Sequence, residues 1–229
     1  MGSSIEFVRP DGKNAPGYFA ADAQSGAPGV VMLEEWWGVD DRIKATADRL
    51  ASHGFSVLVP DLFGGRSAVT RDEASHLTQG LDFNDAATQN TIGAARYLRD
   101  HGAKRVGVMG FCIGGALAML AALQPGAFDA LSAWYGLPPS EAGDASKLRI
   151  PVQGHWARHD EFFTMEKVDE LERKLEAAGA MPEFHRYGAK HGFYNTGTPG
   201  AGGLGHYDHD AAENAWRRTV EFFDRTLRD

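Results

Sequence analysis

The lone cysteine of this 229-residue chain stands in Gly110-Phe111-Cys112-Ile113-Gly114-Gly115. Residues 105–109, RVGVM, form a short apolar run of buried-strand type, and Ile113 to Leu123 reads as a small-residue helix. A nucleophile carried on a strand-to-helix turn sits on strained backbone, so the positions two before and two after it must be small. Gly110 and Gly114 occupy those positions. Thiolate is a strong nucleophile, and a helix opening at Ile113 aims its free N–H groups and positive dipole end at the sulfur. A lone cysteine is more often a small buried core residue. The correctly spaced glycines after a strand favour nucleophilic catalysis instead.

Such a turn presents its partners downstream in the order nucleophile, acid, histidine. Ile150 to His155 reads as a strand, followed by Trp156-Ala157-Arg158-His159-Asp160-Glu161. Asp160 fits an acid that orients an imidazole, with Glu161 as its competitor and a plain helix-start acid ahead of Met165 as the bland alternative. Among nine histidines, His191 follows the strand Glu183 to Tyr187 and the turn Gly188-Ala189-Lys190, and is flanked by Gly192-Phe193. His185 falls inside that strand and reads as a packed or surface residue. His206 and His209 lack a third separated ligand, so no metal is expected. Glu34-Glu35-Trp36-Trp37-Gly38 follows the apolar run Gly29 to Leu33. A carboxylate against those indole rings would be desolvated and favour its proton; a solvated acid pair beside core-roofing aromatics is the equal alternative. Trp36, Trp37, Phe111 and Phe193 suggest an apolar, aromatic-walled pocket.

The elements that must position these groups alternate strand and helix. Strand-like runs at 29–33, 55–59, 105–109, 130–135, 150–155 and 183–187 are separated by helical periodicities at 40–53, 85–101, 113–123 and 165–178, and a helix striped with Trp216, Val220, Phe223 and Leu227 closes the chain. This pattern predicts a mostly parallel sheet with helices on both faces, an α/β architecture in which ligands gather at the carboxyl ends of the strands. The length suits one domain over residues 1–229, and the Gly-rich stretch 197–205 reads as a surface loop. With 23 Lys and Arg against 31 Asp and Glu, the net charge of −8 disfavours nucleic acid and anionic membrane as partners. One cysteine allows no disulfide within the chain, and the opening residues show no leader pattern: the sixth residue, Glu6, is wrong for myristoylation. A soluble cytoplasmic protein, monomeric or a small homo-oligomer, is the expectation.

These residues together resemble the dienelactone hydrolase family. The likeness runs over essentially the whole chain: Pro10-Asp11-Gly12 to Pro16-Gly17-Tyr18, Glu35-Trp36-Trp37-Gly38-Val39, Pro60-Asp61-Leu62-Phe63, the Cys112 turn and His191-Gly192-Phe193. The resemblance implies an α/β-hydrolase fold and a lactone or ester as small-molecule substrate, with no cofactor. It implies Cys112 as nucleophile, His191 and Asp160 as its partners, and Glu35 as a participant in generating the thiolate. The N–H groups of Ile113 and Trp36 would form the oxyanion hole. Trp37, Phe111, Phe193 and Asn195 would contact substrate. The family pattern that binds a substrate carboxylate has an arginine four residues beyond the histidine; here that position is Asn195. An amide supplies a hydrogen bond but no charge, so Arg66, Arg71 or Arg158 would have to compensate, and a neutral lactone or ester is at least as well matched as dienelactone. A general small-ester carboxylesterase and a non-catalytic hydrolase-fold protein with a binding or redox-sensing thiol are the alternatives.

Overall fold

Eight strands hydrogen-bond in the order β1-β2-β4-β3-β5-β6-β7-β8 in the computed structural model, which describes residues 1–21, 26–139, 142–144, 147–197 and 206–228. The strands are β1 (Ser3–Val8), β2 (Asn14–Ala21), β3 (Gly29–Leu33), β4 (Ser56–Pro60), β5 (Val106–Phe111), β6 (Ala130–Trp134), β7 (Val152–His159) and β8 (Glu183–Lys190). From β4 onward every pairing is parallel; β1 with β2 and β2 with β4 are antiparallel. Helices α1 (Asp41–Ala51), α2 (Arg71–Gln79), α4 (Thr91–Asp100), α5 (Ile113–Ala122), α6 (Met165–Ala177) and α7 (His209–Leu227) connect or flank them. A short α3 (Phe83–Asp85) runs through a π-helical turn, Ala86–Asn90, into α4, and Thr91 donates its hydroxyl to the Ala86 carbonyl there at 2.8 Å.

The mostly parallel sheet expected from the sequence is present, and period two explains why it is covered on both faces. Val31, Leu33, Leu58, Val106 and Val108 join the apolar cluster built with α4, α5 and α6. Their neighbours Val30, Met32, Val57, Val59 and Met109 point the other way, into the cluster built with α1 and α7. Strands buried on both faces read as unbroken apolar runs, which is how β3, β4 and β5 look in the sequence.

The antiparallel pair at the sheet edge was not foreseen. Pro16 and Gly17 interrupt β2, and β1 buries only Phe7, so neither segment carries a strand pattern. Helix α2 buries only Ala74 and shows no apolar stripe; its one signal is a capping box, Thr70 with Glu73. Strands β7 and β8 run farther than the sequence suggested, to His159 and Lys190. Asp160 and His191 therefore leave the sheet directly at strand ends. Residues 198–205 of the Gly-rich stretch lie outside the described residues. Among the described residues no helix is long and apolar enough to cross a membrane.

Candidate active site

Cys112 links β5 to α5 with φ 54° and ψ −116°, one of two non-glycine residues with positive φ among those described. The glycines around it are required by contact. A Cβ at Gly110 would lie 2.2 Å from the Gly114 carbonyl oxygen, and one at Gly114 would lie 2.5 Å from the Glu34 carbonyl oxygen. The sulfur thus stands at the carboxyl edge of the sheet, with the first turn of α5 pressed against the end of β3.

Three elements converge on it. The His191 ring lies with Nε2 3.2 Å from Cys112 Sγ and Nδ1 2.9 Å from Asp160 Oδ2. The other oxygen of Asp160 accepts the N–H groups of Phe162 and Phe163 at 2.8 and 3.0 Å, which fixes the carboxylate in place. Glu161, the competitor, is exposed. Burial alone would lower the basicity of His191, but its bonds to Asp160 and Cys112 outweigh that and raise it to about 10. The arrangement can hold a proton on the imidazole beside the sulfur.

Beside the thiol lies a cavity of 220 Å³ walled by Trp36, Trp37, Ile113, Phe162 and Phe163, with Glu35 and Asn195 also in its lining. Sequence reasoning missed Phe162 and Phe163, whose rings sit 4.9 and 5.8 Å from that of His191. Two of the expected aromatic walls are elsewhere. Phe193 is fully buried and packs on Tyr135 and Tyr187, so it belongs to the core. Phe111 stacks on Tyr194 and lines a second cavity of 380 Å³ that shares Glu35, Trp37 and Asn195 with the first. Aromatic residues fill cores as readily as pockets, and type alone did not separate the two.

Glu35 is mostly enclosed. Tyr135 donates to its Oε1 at 3.2 Å, and the Asn195 amide donates to Oε2. Burial raises its pKa, opposed first by Arg42, whose Nη1 is 4.0 Å from Oε2, and then by His191 and the two hydrogen bonds. Neither Tyr135 nor Arg42 was foreseen. Tyr135 is the second positive-φ residue, just past the end of β6. Arg66, Arg71 and Arg158 are exposed, and none of them lines either cavity.

Its neighbour Glu34 is fully buried, with Oε1 accepting the Leu62 N–H at 3.0 Å and Oε2 without a partner among the described residues. Burial is the main reason its pKa rises to about 8. An unfolded chain releases this proton near 4.5, so the folded state binds more protons between 4.5 and 8 and loses stability as pH rises through that window. Glu34→Gln removes the titration. Its melting temperature should exceed wild type by about 5 °C at pH 8 and by much less at pH 5. An equal difference at both values would show that Glu34 does not titrate in the fold.

The model of the dienelactone hydrolase family matches residues 15–227. Protein usf of Aquifex pyrophilus is 33% identical over 99% of this chain and 100% of its own length. The carboxymethylenebutenolidase of Rhodococcus opacus is 32% identical over 98% of this chain and 92% of its own. Among solved structures, a dienelactone hydrolase-like promiscuous phosphotriesterase from metagenomic libraries superposes with a TM-score of 0.78 at 26% identity, covering 99% of both chains. Thermogutta terrifontis esterase 2, at 15% identity and a TM-score of 0.74 over 100% of this chain and 96% of its own, shares the α/β-hydrolase fold.

Proposed function

The chain belongs to the dienelactone hydrolase family, and from that premise we propose that it hydrolyses carboxylic esters or lactones through a thioester on Cys112. The observation that carries this reading is the unbroken line Cys112–His191–Asp160, with its two contacts of 3.2 and 2.9 Å. Glu35, lining the same cavity as the sulfur, takes part in moving the thiol proton to His191, which leaves thiolate beside imidazolium. The thiolate adds to the substrate carbonyl carbon, and the oxygen takes up the negative charge. The N–H groups of Ile113, first in α5, and of Trp36, just beyond β3, are the donors assigned to that oxyanion. Collapse expels the alkoxide, which takes a proton from His191 and leaves an acyl thioester. His191 then draws a proton from water, whose oxygen attacks the thioester carbonyl; thiolate departs and the carboxylic acid is released. Asp160 holds the ring and stabilises its charged form.

The cavity walls favour a neutral substrate. They are apolar and aromatic, and the side chain four residues past the histidine is the Asn195 amide. Arg42 is already engaged by Asp40 and Asn195. A panel of dienelactone, a neutral enol lactone and p-nitrophenyl acetate, with acid-quench mass spectrometry of the intact protein, tests the reading. The expected result is burst kinetics with the neutral substrates and an acyl adduct mapped to Cys112. Turnover without any adduct, even where deacylation is slowed at low pH, would reject the covalent route. Preferential turnover of dienelactone would reject the neutral-substrate reading while leaving the chemistry intact.

A further inference from the structure

We propose that Arg42, acting through Asn195, favours the ionised form of Glu35 in its mostly enclosed site and is thereby a positioning residue for thiol activation, although it touches neither sulfur nor imidazole. The proposal rests on the reading above in which Glu35 helps to remove the thiol proton.

A carboxylate enclosed by protein pays for its charge unless a cation or several donors face it. The groups facing Glu35 come from four elements. Tyr135 after β6 donates one hydrogen bond, and Asn195 after β8 donates another. His191 and Cys112 share its cavity, but the imidazole is already bonded to Asp160 and the sulfur. The permanent cation is Arg42, from the first turn of α1, 4.0 Å away.

That guanidinium is held in place. Asp40, the N-cap of α1, accepts the Arg42 and Ile43 N–H groups with Oδ1 and binds the guanidinium Nε and Nη2 with Oδ2 at 2.9 and 2.5 Å. Its remaining Nη1 donates to Asn195 Oδ1. The same oxygen accepts the Gly197 N–H at 2.8 Å. Two donors on Oδ1 fix which way the amide points, so Nδ2 must face Glu35. Cap, guanidinium, amide and carboxylate form one chain from a helix N-terminus to the thiol cavity, and the neutral Asn195 transmits the polarity of a charge it does not carry.

The test is the pH profile of p-nitrophenyl acetate hydrolysis from pH 5 to 9, with iodoacetamide alkylation of Cys112, in wild type, Arg42→Gln, Arg42→Lys, Glu35→Gln and the Glu35→Gln/Arg42→Gln double variant. An opposite charge at this range lowers a carboxyl pKa by about one unit or more. Arg42→Gln should therefore move the acidic limb of kcat/KM up by about one pH unit, a roughly tenfold loss on that limb that shrinks toward the plateau at higher pH, with KM changed less than about twofold. Arg42→Lys, which keeps the charge, should recover most of the loss. In the Glu35→Gln background, removing Arg42 should cost almost nothing. An unmoved limb in Arg42→Gln, or an equal loss in both backgrounds, overturns the proposal while leaving Glu35 its role. Wild-type kinetics in Glu35→Gln overturns both.

Discussion

Cys112→Ala is expected to lower kcat/KM for p-nitrophenyl acetate by about 10⁴-fold or more while leaving the thermal transition near that of wild type. The size follows from the sequence: this is the only thiol in the chain, so no second cysteine can take over. What survives would be the binding cavity and the two donors assigned to the oxyanion, enough for a residual rate above water but not for turnover. Asp160→Asn should cost about 10²- to 10⁴-fold, because the Phe162 and Phe163 N–H groups would hold the amide oxygen, leaving its NH2 facing Nδ1, and a neutral amide cannot stabilise a charged ring. Glu161→Gln should remain close to wild type, since that side chain is exposed. The measurement is steady-state hydrolysis with melting curves run on each variant. Retained turnover in Cys112→Ala would end the nucleophile assignment, and equal losses in Asp160→Asn and Glu161→Gln would end that of the acid.

How far these residues could be read from the sequence depends on whether their pairing is local. The turn at Cys112 was legible because its constraint is local: two glycines at fixed spacing after an apolar run report a close approach between Gly110 and Gly114. His191 and Asp160 were legible one step less directly, through chain order and the carboxyl ends of strands. The contacts of Glu35 were not. Arg42 lies in a helix whose sequence reports only its cap and its apolar stripe, and its meeting with Asn195, 153 positions away, depends on where the fold brings the start of α1 to the segment after β8. Tyr135 reads as a strand residue, and nothing in its type announces a left-handed backbone. Phe193 shows the converse: an aromatic beside a site histidine looked like a pocket wall, yet its ring turns into the core. Local steric rules carry positions, whereas charge partners come from tertiary packing.

The same steric rule predicts the largest effect on stability, at a glycine no motif contains. A Cβ on Gly136 would stand 1.8 Å from the Cys112 carbonyl oxygen, 2.8 Å from its carbon and 3.0 Å from the Ala116 nitrogen. Those atoms cannot yield cheaply. The Cys112 carbonyl accepts the N–H groups of Gly115 and Ala116 at 3.0 and 3.2 Å, which closes the first turn of α5, and the Cys112 N–H donates to Trp134 at 3.0 Å. The segment after β6 and the nucleophile turn are thus locked against each other with no room for a methyl group. Gly136→Ala should destabilise the fold by about 4 kcal/mol or more, or prevent folding, and any folded fraction should have its sulfur displaced from His191 and lose activity. Gly188→Ala supplies the contrast: nothing lies within 4 Å of its Cβ position and its φ is ordinary. That variant should be neutral or gain about 0.4–1 kcal/mol through a less flexible unfolded chain. Urea unfolding of the two alanine variants against wild type reads both. Wild-type stability in Gly136→Ala would mean that the segment after β6 does not press on the Cys112 turn.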